Sequence, residues 1–391
     1  MSNSKGLKIA VVGNILGHGN TYSEWTTSFI IAMSKVKNIE MIVVYCPVPN
    51  KEEEIILPKK CSIVPIIDYK KPLTLFSLPQ YIKKENFDQV IFIYGPTAFG
   101  SSTLSNFLGM IIPLIVQKDR KKKVKIINQG SALTHNSKSL GYNSILDRIR
   151  VYILTFIEKY VYKRVKTYFQ LKYYCDQIAQ KYGKKLVGGM LMSDFLDPLT
   201  TLYLNNADDK EYLTRSKNTN QLRLLLHGFW GPQKDPETAL ISVKNLKKKI
   251  PNLQLTISGG INNHFPNYQK YFKELLTKYQ DVIDNNFEYI KEKDLMELFI
   301  NNDIVLMPYN ASGGQSGVLE MGSFFENVVV CSDFPEFREE KKSDMIVLTD
   351  LDNFEESLYK SIKSVTKIPE IICVEDKIKK VVKNIETFLN D

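Results

Sequence analysis

Short apolar runs alternate with helix-length amphipathic stretches along this 391-residue chain, and the alternation occurs twice. In the first series, residues 7–12 (LKIAVV), 40–45, 62–67, 89–94, 124–128 and 167–171 read as strands. Helical periodicity is expected at 22–35, 103–116 and 144–164, the last with apolar positions three and four apart and basic residues between them. The second series places strands at 222–226, 254–258, 287–290, 304–307, 328–331 and 345–348. Helices are expected at 237–249, 268–279, 293–301 and 318–325, with a closing helix at 377–389. Uninterrupted apolar strands separated by helices suit a parallel sheet covered on both faces. The pattern therefore predicts an α/β protein of two Rossmann-like, doubly wound domains facing each other across a cleft. Ligands of such sheets sit at the carboxyl ends of the strands. The polar stretch 204–220 (LNNADDKEYLTRSKNTN) is the expected linker.

Composition narrows this picture. A hydrophobic content of 43% and a charged content of 24% exclude a disordered chain, a collagen and a disulfide-stapled mini-protein. The five cysteines are scattered, with no CxxC pair, which argues against a disulfide framework or a zinc site and fits a reducing cytosol. The N-terminus runs into a strand without a signal-peptide apolar region. The most apolar stretch, residues 106–117, is shorter than the ~20 residues that span a bilayer.

The net charge of +9 is split unevenly. Residues 1–198 carry 28 Lys and Arg against 14 Asp and Glu, whereas the remainder carries 24 against 29. The basic half calls for an anionic partner. Lys118, Arg120, Lys121, Lys122, Lys123 and Lys125 follow the apolar stretch, and Arg148, Arg150, Lys159, Lys163, Arg164 and Lys166 decorate the long helix. Two readings stand: a membrane-surface contact, or a buried core helix beside a solvated charge run. No nucleic-acid-binding motif accompanies the charge.

Three loops carry candidate chemistry. The first, Gly13-Asn14-Ile15-Leu16-Gly17-His18-Gly19-Asn20, joins the first strand to the first helix. Its glycines let a ligand approach the backbone, but the spacing is GxxxGxG rather than the dinucleotide GxGxxG. The second, Ala311-Ser312-Gly313-Gly314-Gln315-Ser316-Gly317-Val318, follows a strand and opens a helix, so its amides suit a diphosphate. Glu320 falls in that helix's first turn. The third, His227-Gly228-Phe229-Trp230-Gly231-Pro232-Gln233-Lys234-Asp235, places one lysine on a glycine-rich loop at a strand end, where it can pair with phosphate. Asp350-Leu351-Asp352 matches a metal-binding DxD but reads as ordinary loop acids.

The second and third loops carry a resemblance. A strand followed by GFWGPQKDPETAL and a helix resembles the G-F-x-R-P-x-K-G loop of retaining glycosyltransferases with the two-Rossmann (GT-B) architecture, family four in particular. DIVLMPYNASGGQSGVLEMGSFFENVVVCSDFPEFRE is similar to that family's P-Y … S-G-V-L … S-D … E segment. The similarity of pattern covers residues 222–340 and extends to the N-terminal half as architecture alone.

The resemblance implies transfer of a hexose from a nucleotide sugar to a glycan acceptor, with retention at the anomeric carbon. Residues 1–200 with the closing helix 376–391 would form the acceptor-side domain, and 201–375 the donor domain. Gly228, Lys234, Gln315, Ser316, Gly317, Val318 and Glu320 would bind the donor, and Glu320, His135 and Lys234 would carry catalysis. Gly13, Asn14 and Gly17 would form the N-domain loop, with Gln129 and His135 on the acceptor side. No metal and no resident cofactor are expected. The acceptor favoured by the basic half is a lipid-phosphate-linked glycan. That places the protein in the cytoplasm, with peripheral association at the anionic inner face of the cell membrane and no nucleic-acid partner.

The sequence departs from the family pattern at named positions. With seven residues between the family's paired glutamates, counting back from Glu320 reaches Ser312; counting from the following strand pairs Met321 with Gly313. The Arg of the phosphate loop is Gly231, and the N-domain histidine position holds Gln129, with His135 six residues on. These departures keep two alternatives open, a catalytically inactive relative that binds a glycan or partner, and a nucleotide-sugar epimerase.

Overall fold

The computed structural model describes residues 6–15, 21–48, 57–68, 70–95, 98–99, 103–118, 123–130, 144–182, 212–215, 221–262, 265–287, 290, 292–312, 314–341 and 343–391. Strands β1 (Leu7–Val12), β2 (Ile39–Pro47), β3 (Cys61–Ile67), β4 (Gln89–Tyr94), β5 (Lys123–Asn128) and β6 (Lys166–Phe169) form one sheet in the order β3-β2-β1-β4-β5-β6. Every pairing in it is parallel. After the short β7 (Tyr212–Thr214), a second sheet uses β8 (Leu222–His227), β9 (Leu253–Ser258), β10 (Asn285–Phe287), β11 (Ile304–Met307), β12 (Val328–Ser332) and β13 (Ile346–Thr349). Its order, β10-β9-β8-β11-β12-β13, is again parallel throughout. In both sheets the strand order reverses beside the first strand, which opens a crevice at the carboxyl ends.

Each sheet belongs to its own compact unit, and the helix Val374–Asn390 divides between them after Lys377. Within the second unit, Lys377 pairs with Glu326 at 2.9 Å. Within the first, the helix ends in a polar socket. Lys125, only 2% exposed, donates to the carbonyls of Phe388 (2.6 Å) and Leu389 (3.2 Å), and Gln89 Nε2 donates to Leu389 O at 2.7 Å. A lysine at a helix C-terminus satisfies carbonyls that have no partner within the helix.

The central strands carry the cores. β4, β11 and β12 are buried at every position, as strands covered on both faces must be. The helix Thr103–Gln117 packs Met110, Ile112 and Val116 into the first core, with Gly109 lying under the Phe99 ring. The apolar stretch 106–117 is therefore in large part a core helix, with Leu108, Leu114 and Ile115 half-buried against the same core.

The stretch expected as a plain linker, 204–220, lies mostly outside the described residues. Its described part contains β7, which pairs antiparallel with β14 (Ile371–Cys373). A three-residue strand with its partner far along the chain leaves no local periodicity to read. Beside it, the buried Arg215 donates to Ile300 O at 3.0 Å, Phe325 O at 2.7 Å and the Asn302 carbonyl. The strand expected at 287–290 occurs earlier, at Asn285–Phe287, as an exposed edge strand. All five cysteines are free thiols. Among the described residues, no helix is long and apolar enough to cross a membrane.

Candidate active site

Both phosphate-loop candidates leave the second sheet at its switch point. One follows β8, and the other follows the adjacent β11. The first loop closes onto a helix that the sequence caps strongly. Asp235 is the N-cap and accepts the Thr238 N–H at 3.2 Å, Pro236 enters the first turn, and Glu237 faces the positive helix end. This fixes Lys234 one residue before the N-cap.

The two loops are stitched together by backbone. Lys234 and Tyr309 form an antiparallel bridge, and Asp235 N–H donates to Pro308 O at 2.7 Å. The N–H groups of Asn310 and Ala311 both reach Gln233 O, at 2.9 and 3.2 Å. The lysine side chain then folds back over Gly228. A Cβ built on that glycine would stand 2.0 Å from Lys234 Nζ and 3.8 Å from a methyl of Val318. Gly228 has a φ of +142°, a region open to glycine and strained for other residues. The ammonium, the glycine and the start of the helix Gly317–Phe324 thus converge within a few ångströms.

Among the described residues, no carboxylate is paired with Lys234. Its Nζ lies 4.9 Å from the Tyr309 ring centroid and 5.5 Å from that of Trp230. Burial pushes its pKa down to about 7, because desolvation penalises the charged form and no anion restores it. His227, behind it, has Nδ1 2.7 Å from Ser258 Oγ and packs edge-on against Phe299. Burial, and then the Lys234 charge, push the imidazole down to about 3, so it is neutral at physiological pH and orients rather than titrates.

In the second loop, Gly314 has a φ of +145° and Ser316 is the N-cap of the helix Gly317–Phe324. Ser316 Oγ accepts the Leu319 N–H, and Glu320 N–H donates to Ser316 O. The amides of Gly317 and Val318 remain as first-turn donors. The Ser316 amide is engaged differently from the sequence expectation: it donates to Glu340 Oε1 at 3.3 Å. Glu340 is buried and lies far along the chain on the helix Pro335–Glu340, which explains why no local signal marks it. Glu320 is buried on the helix, and Gln315 is half-buried beside it.

A cavity of about 320 Å³ opens next to this centre, lined by Gly259, Gly260, Ile261, Asn262, Phe272 and Lys273 among others. It borders the lysine loop, since a Cβ on Gly259 would meet Gly228 O at 2.1 Å and Trp230 bridges to Ile261. The Asp350 carboxylate accepts the backbone and side-chain N–H groups of Asn353.

The first sheet holds the remaining candidates. Gly13 is buried after β1, and Asn14 is anchored by Nδ2 donating to Ala98 O at 2.6 Å. Gln129, after β5, donates its backbone N–H to Tyr94 O, and its side-chain nitrogen is buried without an acceptor among the described residues. Gly17 and His135, the catalytic candidate of this half, lie outside the described residues, as does Gly313. The sequence reading missed Tyr309 and Glu340. Tyr309 follows a buried strand in the P-Y dipeptide, a signal that could have found it.

No protein-family model and no curated protein sequence matches the chain. Solved structures do. Sucrose-phosphate synthase from Thermosynechococcus elongatus aligns with a TM-score of 0.61 at 11% identity, over 98% of this chain and 94% of that one. Anabaena HepE in complex with UDP and glucose aligns with a TM-score of 0.60 at 12% identity, over 98% and 99%. A glycosyltransferase from Rickettsia africae aligns with a TM-score of 0.58 at 16% identity, over 97% and 94%. With its two six-stranded parallel sheets, each in the doubly wound order, the chain has the fold of the GT-B glycosyltransferases.

Proposed function

We propose that the protein is a retaining glycosyltransferase that moves a hexose from a nucleotide-sugar donor to a glycan acceptor. The observation that carries this reading is the Lys234 ammonium, without a carboxylate partner among the described residues, seated over Gly228 beside the first turn of the helix Gly317–Phe324. A diphosphate there would meet one positive charge, the Gly317 and Val318 amides and the positive end of the helix. Charge-assisted hydrogen bonds of this kind contribute about 1.5–3 kcal/mol each. The adjoining cavity is of a size to take a nucleoside, and solved neighbours of the same fold include proteins complexed with UDP or UDP-glucose.

Catalysis in this proposal is positioning and charge stabilisation. As the bond from the anomeric carbon to the diphosphate breaks, Lys234 and the helix amides take up the charge developing on the leaving group. Glu320 would contact the donor sugar. The leaving diphosphate serves as its own base, so the step uses no metal ion or enzymatic nucleophile. Acceptor binding would fall to the N-terminal half, around Gln129 and His135, with a lipid-phosphate-linked glycan as acceptor and peripheral contact with an anionic membrane.

Calorimetric titration with UDP, GDP and ADP sugars tests the reading. Binding by one of them, weakened 10–100-fold in Lys234→Ala, is expected. No binding, or no effect of the substitution, would sink it. Product anomers read by proton NMR test retention. A nucleotide-sugar epimerase of the same fold is the second reading, since such a protein from Listeria monocytogenes aligns with a TM-score of 0.51; a rearranged donor with no acceptor product would select it. Turnover abolished in Glu320→Gln would exclude an inactive relative.

A further inference from the structure

The helix Ile145–Tyr162 is apolar on two faces, and the fold covers one of them. Leu154, Val161 and Tyr162 are buried, the last two in the first core. On the other side Ile145, Leu146, Ile149, Tyr152, Phe156 and Tyr160 are exposed, with Ile145, Leu146 and Tyr152 each at 75% or more. Spacings of three, four and seven residues set them in one stripe along about 22 Å of helix. Isolated exposed apolar residues need no explanation; a continuous stripe of six does.

Charge identifies what would cover it. Exposed Arg148 lies on one flank of the stripe, and exposed Lys163 and Arg164 stand at its C-terminal end. The Arg164 guanidinium sits 3.6 Å from the Tyr160 ring centroid, holding charge and ring together at the stripe's border. Among the described side chains of the helix, the acidic one, Glu158, is fully buried. A second copy of this chain docked face to face would bring the same cations together in a half that already carries twice as many basic as acidic residues. An anionic surface would neutralise them. Tyrosine rings at the edge of an apolar stripe are also the residues that settle at the boundary between lipid headgroups and acyl chains.

We propose that this face is a membrane-docking surface, lying in the plane of an anionic bilayer with its apolar stripe among the acyl chains and its cations at the phosphates. It gives the peripheral contact of the preceding section a definite location, yet it rests on exposure and charge rather than on the transferase reading.

Sedimentation with vesicles of phosphatidylcholine, with and without phosphatidylglycerol, tests it on the full chain. The protein should pellet with the anionic vesicles and bind the neutral ones at least tenfold more weakly. Ile149→Glu combined with Phe156→Glu should reduce anionic binding at least tenfold while leaving the thermal midpoint unchanged, because both side chains are exposed. Arg148→Glu combined with Lys163→Glu, each lost cation counting about fivefold, should reduce it about 25-fold at low salt. Three results would overturn the proposal: no vesicle binding by the unaltered chain, full binding by the double glutamate variant of the apolar stripe, or a dimer in sedimentation velocity that this variant dissolves. Nucleotide titration of the same variants separates the two proposals. Its failure in the unaltered chain removes the transferase and leaves vesicle binding standing.

Discussion

The state of Lys234 predicts a pH dependence with a definite sign. Its pKa is held at about 7 in the folded chain against 10.5 unfolded. Across that window the folded chain binds fewer protons than the unfolded one. Its stability without ligand therefore rises with pH, by at most about 1.4 kcal/mol per pH unit from this group. A diphosphate needs the ammonium, so affinity moves the opposite way. At pH 8 about one site in ten carries the charge, and each further pH unit costs about 1.4 kcal/mol, a tenfold weaker Kd. The perturbation is pH from 7 to 9, read by calorimetry with the nucleotide sugar, whose diphosphate ester does not titrate there. Buffers of differing ionisation enthalpy should report uptake of close to one proton per ligand bound near pH 8. Lys234→Met should bind weakly with a flat profile and no proton uptake. The reasoning is refuted if the unaltered chain shows a flat profile, or if the methionine variant keeps the slope.

Three further outcomes follow from packing. Gly228→Ala puts a methyl where Lys234 Nζ stands and strains a φ of +142°, so it should lower stability by about 1–3 kcal/mol and weaken nucleotide binding at least tenfold, read by thermal melt and calorimetry. Arg215→Met removes donors from three buried carbonyls and should cost about 3–5 kcal/mol in denaturant unfolding. Gly109→Ala drives a Cβ to 2.2 Å from the Phe99 ring and should destabilise by about 1–3 kcal/mol or more, with no change in nucleotide affinity once folded.

Local periodicity carried most of the fold. Runs such as LKIAVV and DIVLM are too uniformly apolar for a half-exposed strand, and their alternation with helices left a parallel sheet as the consistent solution. The caps were legible as well, since D-P-E-T announces a helix start within four residues. The pairing of β7 with β14 was not, because its two halves are about 160 residues apart and each is only three residues long.

The same boundary runs through the site. Sequence alone determined that two glycine-bearing loops follow strands, that one holds a lysine, and that the basic charge gathers in one half. Each is a property of neighbouring residues or of a sum. Only the tertiary structure decided that Lys234 folds onto Gly228 without a carboxylate partner among the described residues, that Glu340 takes the Ser316 amide, and which apolar helix is covered. Amphipathic spacing gives the apolar faces of 103–117 and 145–162 alike, but burial depends on what the rest of the chain brings against them. Phe99 and the first core close over Gly109, while the stripe from Ile145 to Tyr160 is left in the open. Contacts between residues distant in sequence are set by packing, and packing is a property of the whole chain.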